Sequence, residues 1–185
     1  MNQLQLETKN ISDTGSRTLR LAFYEPLGEN EHWLNRLVAS VGSHYVSHVE
    51  LLFEDDNASS IFADESVFFR QRTYSNPYYK IKACTVSSKS YDAMYDYASR
   101  CAQQQKGFSH SKMFCGPLLG WRGSSDSTFC SEFVTHTLQV GGVGFAMKMD
   151  AGRSTPSALL SHMNSIETVV FDSTKYKLEL GLRIP

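Results

Sequence analysis

An α+β domain, an antiparallel sheet with helices packed against it, is the fold class this chain predicts. Three observations carry it. Apolar residues alternate at strand period in 18–24 and 176–184. They recur at helical spacing in 31–41, 90–105 and 130–141. The turn-rich run Glu54-Asp55-Asp56-Asn57 follows an apolar stretch and calls for a hairpin return.

Taken in order, residues 1–17 are a polar arm, and 18–185 form one domain. Thr18–Tyr24 sets Leu19, Leu21 and Phe23 against Arg20, Ala22 and Tyr24, the pattern of a half-buried strand. Glu31–Val41 carries Trp33, Leu34, Leu37, Val38 and Val41 on one stripe, with Asn30 as cap. Tyr45–Phe53 reads as a strand bearing His48, and Ser60–Arg70 as its hairpin partner; Tyr79–Thr85 is a further strand. Ser90–Gln105 is a helix that turns Met94, Tyr97, Ala98 and Cys101 inward. Phe108–Ser127 has no period and reads as a long loop, a length that is often functional. Pro156 opens a short helix through Met163. Thr168–Phe171 and Tyr176–Ile184 close the chain as strands.

The helix after the long loop is the most informative element. Cys130, Phe133, Val134, Thr137, Leu138 and Gly141 form one stripe, with Ser131, Glu132, Thr135 and Gln139 on the other side. Ser127 or Thr128 is placed to cap the first turn, and Gly141-Gly142 to end the helix. Cys130 therefore opens a helix, where unpaired N–H groups and the helix dipole favour an anion. A thiol with an unperturbed pKa of about 8.5 is only a few per cent thiolate at neutral pH, so it needs such help and an imidazole partner to act as a nucleophile. His48, in Ser47-His48-Val49-Glu50, is the strongest of the six histidines for that role. Cys115 is a rival nucleophile, but it lies before Gly116-Pro117, where no helix can start.

Composition excludes several classes. The net charge of −1 predicts neither nucleic acid nor an anionic membrane as partner. No stretch approaches a transmembrane span. The first ten residues lack a basic flank and an apolar core, so no secretory signal is expected; the reading is cytoplasmic, with reduced thiols. The four cysteines show no C-x-x-C pair and no zinc-ligand clustering with histidine. Gly141-Gly142-Val143-Gly144 follows a helix and not a strand, which fails the context of a dinucleotide loop.

A histidine strand, then a helix opening Cys130-Ser131-Glu132-Phe133-Val134, a glycine-rich helix end and Ser154-Thr155-Pro156-Ser157-Ala158-Leu159-Leu160 together resemble one family. It is the circularly permuted branch of the NlpC-type papain-like superfamily. That branch includes bacterial YiiX-like proteins, lecithin:retinol acyltransferase relatives and proteins of poxviruses and other large DNA viruses. Papain and ordinary NlpC peptidases run cysteine before histidine, so the reversed order points to the permuted group. The resemblance spans residues 18 to 165.

It implies a permuted papain-like fold and a cysteine hydrolase or acyltransferase working through a thioester. The substrate it implies is a peptide, a peptidoglycan-like polymer or a lipid, with no cofactor and no metal. A virus origin would put the protein in the virion or the host cytoplasm. It also implies a polar residue that orients His48, supplied by the strand following it. If the chain turns back through 54–59, Glu65 and Asp64 lie opposite His48, and register decides between them. Glu50, on the same face at i+2, is the weaker third choice. The reading from another class is a non-catalytic binding or structural module of the same fold.

Overall fold

The computed structural model describes residues 15–113, 127–165 and 170–171. Its architecture is mixed α+β. Six strands form one antiparallel sheet: β1 (Ser16–Tyr24), β2 (His48–Leu52), β3 (Asn57–Ser60), β4 (Phe68–Gln71), β5 (Tyr79–Ser87) and β8 (Val170–Phe171). Their order across the sheet is β4-β3-β2-β1-β5-β8. Two short strands, β6 (Gly107–Phe108) and β7 (Ser127–Thr128), pair in parallel. The helices are α1 (Trp33–Ser40), α2 (Ser88–Gln103), α3 (Cys130–Val140) and α4 (Pro156–Ser165), with two 3₁₀ turns between α3 and α4.

β1 begins at Ser16, inside the segment read as arm, and it is central. Leu19, Leu21 and Phe23 face a large core with Val49, Leu51, Met94, Ala98, Phe133 and Leu138. The opposite face, expected to be half-buried, is also covered: Ala22, Leu52, Ala58, Phe68, Tyr74 and Ile81 form a second, smaller core. Alternation identifies two faces of a strand but not what lies over the less apolar one.

The hairpin after β2 is tighter than expected. Phe53 N–H donates to Asn57 O at 2.9 Å and Asp56 N–H to Phe53 O at 3.1 Å, so the return strand starts at Asn57 and not at Ser60. Asp56 takes φ +61°, which aspartate tolerates in turns, and Asp55 holds Asn57 through its side chain. After β3 the chain turns again, and β4 is a separate strand. The last predicted strand, Tyr176–Ile184, lies outside the described residues.

α2 and α3 pack on the Leu19 face of the sheet, with α3 also against β2. Ser87 caps α2, accepting from Ser90 N–H at 3.1 Å, and Tyr91, Met94, Ala98 and Cys101 are its buried residues. Gly141 is where the two helices close up: a Cβ there would stand 2.6 Å from Met94 Cγ. Gly142 then supplies the left-handed turn at φ +68°. α1 departs from expectation. His32, not Asn30, caps it, and of its residues only Ala39 is buried. Its apolar stripe, with Trp33, Leu37 and Val41 exposed, flanks a cleft instead of joining the core.

Candidate active site

α3 is buried on nearly every side, including the side where its polar residues fall. Ser131 Oγ donates to Ser154 O at 2.8 Å, Thr135 Oγ1 to Ser154 Oγ at 2.7 Å, and Gln139 Nε2 to Met149 O at 2.9 Å. The polar face is thus a dry scaffold for the segment leading to α4. Its N-cap is Phe129, and no side chain caps the helix. Thr128, expected there, donates instead to Glu132 Oε2 at 3.0 Å. First-turn N–H groups are therefore left without a side-chain acceptor, next to Cys130, the first helical residue.

His48 opens β2, where Tyr24 is its partner across to β1. The pairing Leu51↔Ser59 and Leu52↔Ala58 projects residue 62, not 63–66, opposite His48. Phe62 fills that position and stacks on the imidazole with centroids 4.7 Å apart. Cys130 and His48 line the same cleft. Both are nearly enclosed, 7 % and 9 % exposed.

The carboxylate beside the imidazole is Glu50. Its Oε1 lies 3.6 Å from His48 Nε2, within ion-pair reach but beyond a hydrogen bond, and Nε2 has no hydrogen-bond partner. Glu50 is fully buried, yet it is ionised in good company: Tyr74 Oη donates to Oε2 at 2.7 Å, Tyr79 Oη to Oε1 at 3.0 Å, and Arg72 Nε stands 2.9 Å from Oε2. Burial pushes its pKa up, but His48, Tyr74 and Arg72 outweigh it and hold it below the usual carboxylate range. Burial likewise works against a charged His48, but Cys130 and Glu50 prevail and raise its pKa to about 9. Tyr74 and Tyr79 are pushed well above the ordinary phenol value, first by burial and then by the Glu50 charge, so both stay donors.

The sequence places Glu65 or Asp64 behind His48; the structure places neither there. Asp64 has φ +64°, an 83 % exposed side chain, and a 2.7 Å contact to His110 Nε2. Glu65 is exposed and contributes its backbone to a turn. The physical reason is the early return at Asn57: β3 ends at Ser60, so 63–66 lie beyond the ladder in a turn. Cys115 lies outside the described residues. Arg72, Tyr74 and Tyr79, which hold Glu50, carried no sequence signal because they come from another strand and the loop before it. Glu50 itself was legible as His48-x-Glu50, the spacing that sets two side chains on one strand face.

A second buried pair braces the chain on either side of Cys130. Lys112 Nζ donates to Ser127 O at 2.7 Å and stands 3.4 Å from Glu132 Oε1. It ties β7 to the first turn of α3, just before and after Cys130. Among the described residues no group of three His, Cys, Asp or Glu is placed to hold a metal ion, and no helix is long and apolar enough to cross a membrane.

A buried thiol at an uncapped helix start, an imidazole in the same cleft and a carboxylate beside that imidazole are the group types that cysteine-based acyl transfer requires. Comparison of the chain with models of protein families, with curated proteins and with solved structures finds no match in any of the three.

Proposed function

We propose that the protein is a cysteine-dependent hydrolase or acyltransferase of the permuted papain-like kind. The observation that carries this reading is an open cleft that both Cys130 and His48 line, with the buried Glu50 carboxylate 3.6 Å from His48 Nε2. Cys130 Sγ attacks a substrate carbonyl, and the N–H groups of the first turn of α3 meet the oxyanion that develops. The imidazolium of His48 gives its proton to the leaving oxygen or nitrogen as the C–O or C–N bond breaks. The resulting thioester is released by water, or by an acceptor alcohol or amine, with His48 as the base. Glu50 keeps the imidazole oriented and steadies its positive charge, and the tyrosines and Arg72 keep Glu50 ionised.

The test is a p-nitrophenyl ester. Wild-type protein is expected to release p-nitrophenol in a burst of one equivalent, with a mass increase equal to the acyl group on the Cys130 peptide. The His48→Ala protein should show neither. A folded wild-type protein that is not acylated on Cys130 would leave a binding or structural module of this fold as the better reading.

A further inference from the structure

The cleft at Cys130 is two chambers, and the base belongs to only one of them. The larger, of about 440 Å³, has a mixed wall in which Asn35, His48, Arg72 and Asn76 stand beside Ile61 and Phe62. The smaller, of about 210 Å³, is walled chiefly by Leu37, Val38, Val41, Phe129 and Pro156. Cys130 and Ser47 line both, whereas His48 lines the larger alone.

This division orients a substrate. When Sγ attacks a carbonyl, one substituent must depart with a proton from His48, and the other stays on sulfur. The departing group therefore belongs on the side of His48, in the larger chamber that holds the polar side chains, and the acyl group in the apolar one. Ser47 marks the junction: it is 6 % exposed and its hydroxyl has no hydrogen-bond partner. A buried hydroxyl without a partner is costly, and a substrate carbonyl held at the sulfur would supply one.

We infer that the site takes esters or amides of apolar, medium-length aliphatic acids, with the acyl chain in the Leu37–Val41–Pro156 chamber and a hydrogen-bonding leaving group beside His48 and Arg72. A cavity of about 150 Å³ lined by Leu, Ile and Phe takes a benzene, so 210 Å³ suits a chain of roughly eight carbons. This inference rests on the acyl-transfer reading above. The Sγ–C bond forms as the substrate's C–O or C–N bond breaks, the His48 proton leaves on the alcohol or amine, and water then frees the carboxylic acid and restores the thiol–imidazole pair.

The test is a series of p-nitrophenyl esters (acetate, butyrate, octanoate, palmitate), read as kcat/KM and as acyl mass on Cys130. Octanoate should exceed both acetate and palmitate at least tenfold, since each methylene taken out of water is worth up to about fourfold. Val41 is half exposed, so Val41→Asp should fold, and it should cut the octanoate-to-acetate ratio about tenfold. Acylation of Cys130 that is fastest with acetate, or indifferent to chain length, overturns the chamber assignment while leaving acyl transfer standing. No acylation by any ester defeats both.

Discussion

Two buried carboxylates lie near Cys130, one on the strand side and one on the helix side, and their surroundings differ. Glu50, on β2, has two phenols and a guanidinium for partners, and its remaining approach is to His48. Glu132, on α3, is held by the Thr128 hydroxyl and the Lys112 ammonium, which in turn grips the Ser127 carbonyl. Both are charges taken out of water, and each is tolerated because its partners are in place. Glu50 is coupled to a group that gains and loses a proton, whereas Glu132 is coupled to the chain on either side of Cys130. Burial of a charge does not by itself mark a chemical role; the identity of its neighbour does.

The sharpest break is at the reacting atoms. Cys130→Ala should abolish turnover while changing stability by no more than about 1 kcal/mol, since one sulfur at a helix start leaves a small void. His48→Ala should lower turnover roughly 10⁴- to 10⁶-fold, the scale seen when a nucleophile's base is removed. It should also slow iodoacetamide alkylation of Cys130 at least tenfold, because the base that would take the thiol proton is gone. Identical alkylation profiles in wild type and variant would uncouple the two residues.

Glu50→Gln comes next, with an expected loss of roughly 10²- to 10⁴-fold in kcat, as for the acid of other triads. This variant also tests the electrostatics. The folded pKa of His48, about 9, lies above its ordinary 6.5. The stability it contributes is therefore complete below pH 6.5 and is lost as pH rises through about 9. Melting temperatures from pH 6 to 10 should fall across that window in the wild type. In Glu50→Gln the fall should be smaller and end at lower pH, because one of the two groups that raise the folded pKa has been neutralised. A pH dependence unchanged by the substitution would sever Glu50 from the imidazole.

Glu132→Ala should invert the pattern. It leaves Lys112 buried without its carboxylate, a loss of about 3–5 kcal/mol, while kcat of the protein that remains folded stays within about tenfold of wild type. The double variant Lys112→Met, Glu132→Leu should recover most of that stability, since a buried ion pair is often replaced by apolar groups at little cost. Urea denaturation of the two variants checks both statements, and a double variant no more stable than the single one would show that the pair does more than neutralise itself. The smallest effect belongs to Asp64→Asn and Glu65→Gln, which should leave turnover within about twofold and stability within about 0.5 kcal/mol. A larger loss of activity in either would return it to the site.

Local patterns carried much of the architecture. The α+β class, the period of β1, the apolar faces of α2 and α3, the glycine stop after α3 and the proline start of α4 follow from spacing and backbone chemistry, which act over a few residues. The same logic set His48 at a strand start and Cys130 at a helix start, because each sits where its own periodic segment begins. Errors gathered where a few residues of turn decided a longer stretch. Asp56 in the left-handed region closes the β2–β3 hairpin early, and that shift removed Glu65 and Asp64 from the ladder and put Phe62 over His48.

What the amino-acid order determined alone is therefore most of the longer elements (β1, β2, β5, α2, α3 and α4) and the two residues at their ends, His48 and Cys130, along with the His48-x-Glu50 spacing that puts acid and imidazole on one face. Tertiary structure decided the rest. It chose Glu50 over Asp64 and Glu65, because only the folded chain brings Arg72, Tyr74 and Tyr79 round to make a buried carboxylate tolerable. It buried the polar side of α3 against the segment before α4, and it turned the apolar stripe of α1 to a cleft. A strand or helix is set by neighbours in sequence, whereas the ionisation of a buried acid depends on groups that approach it through space.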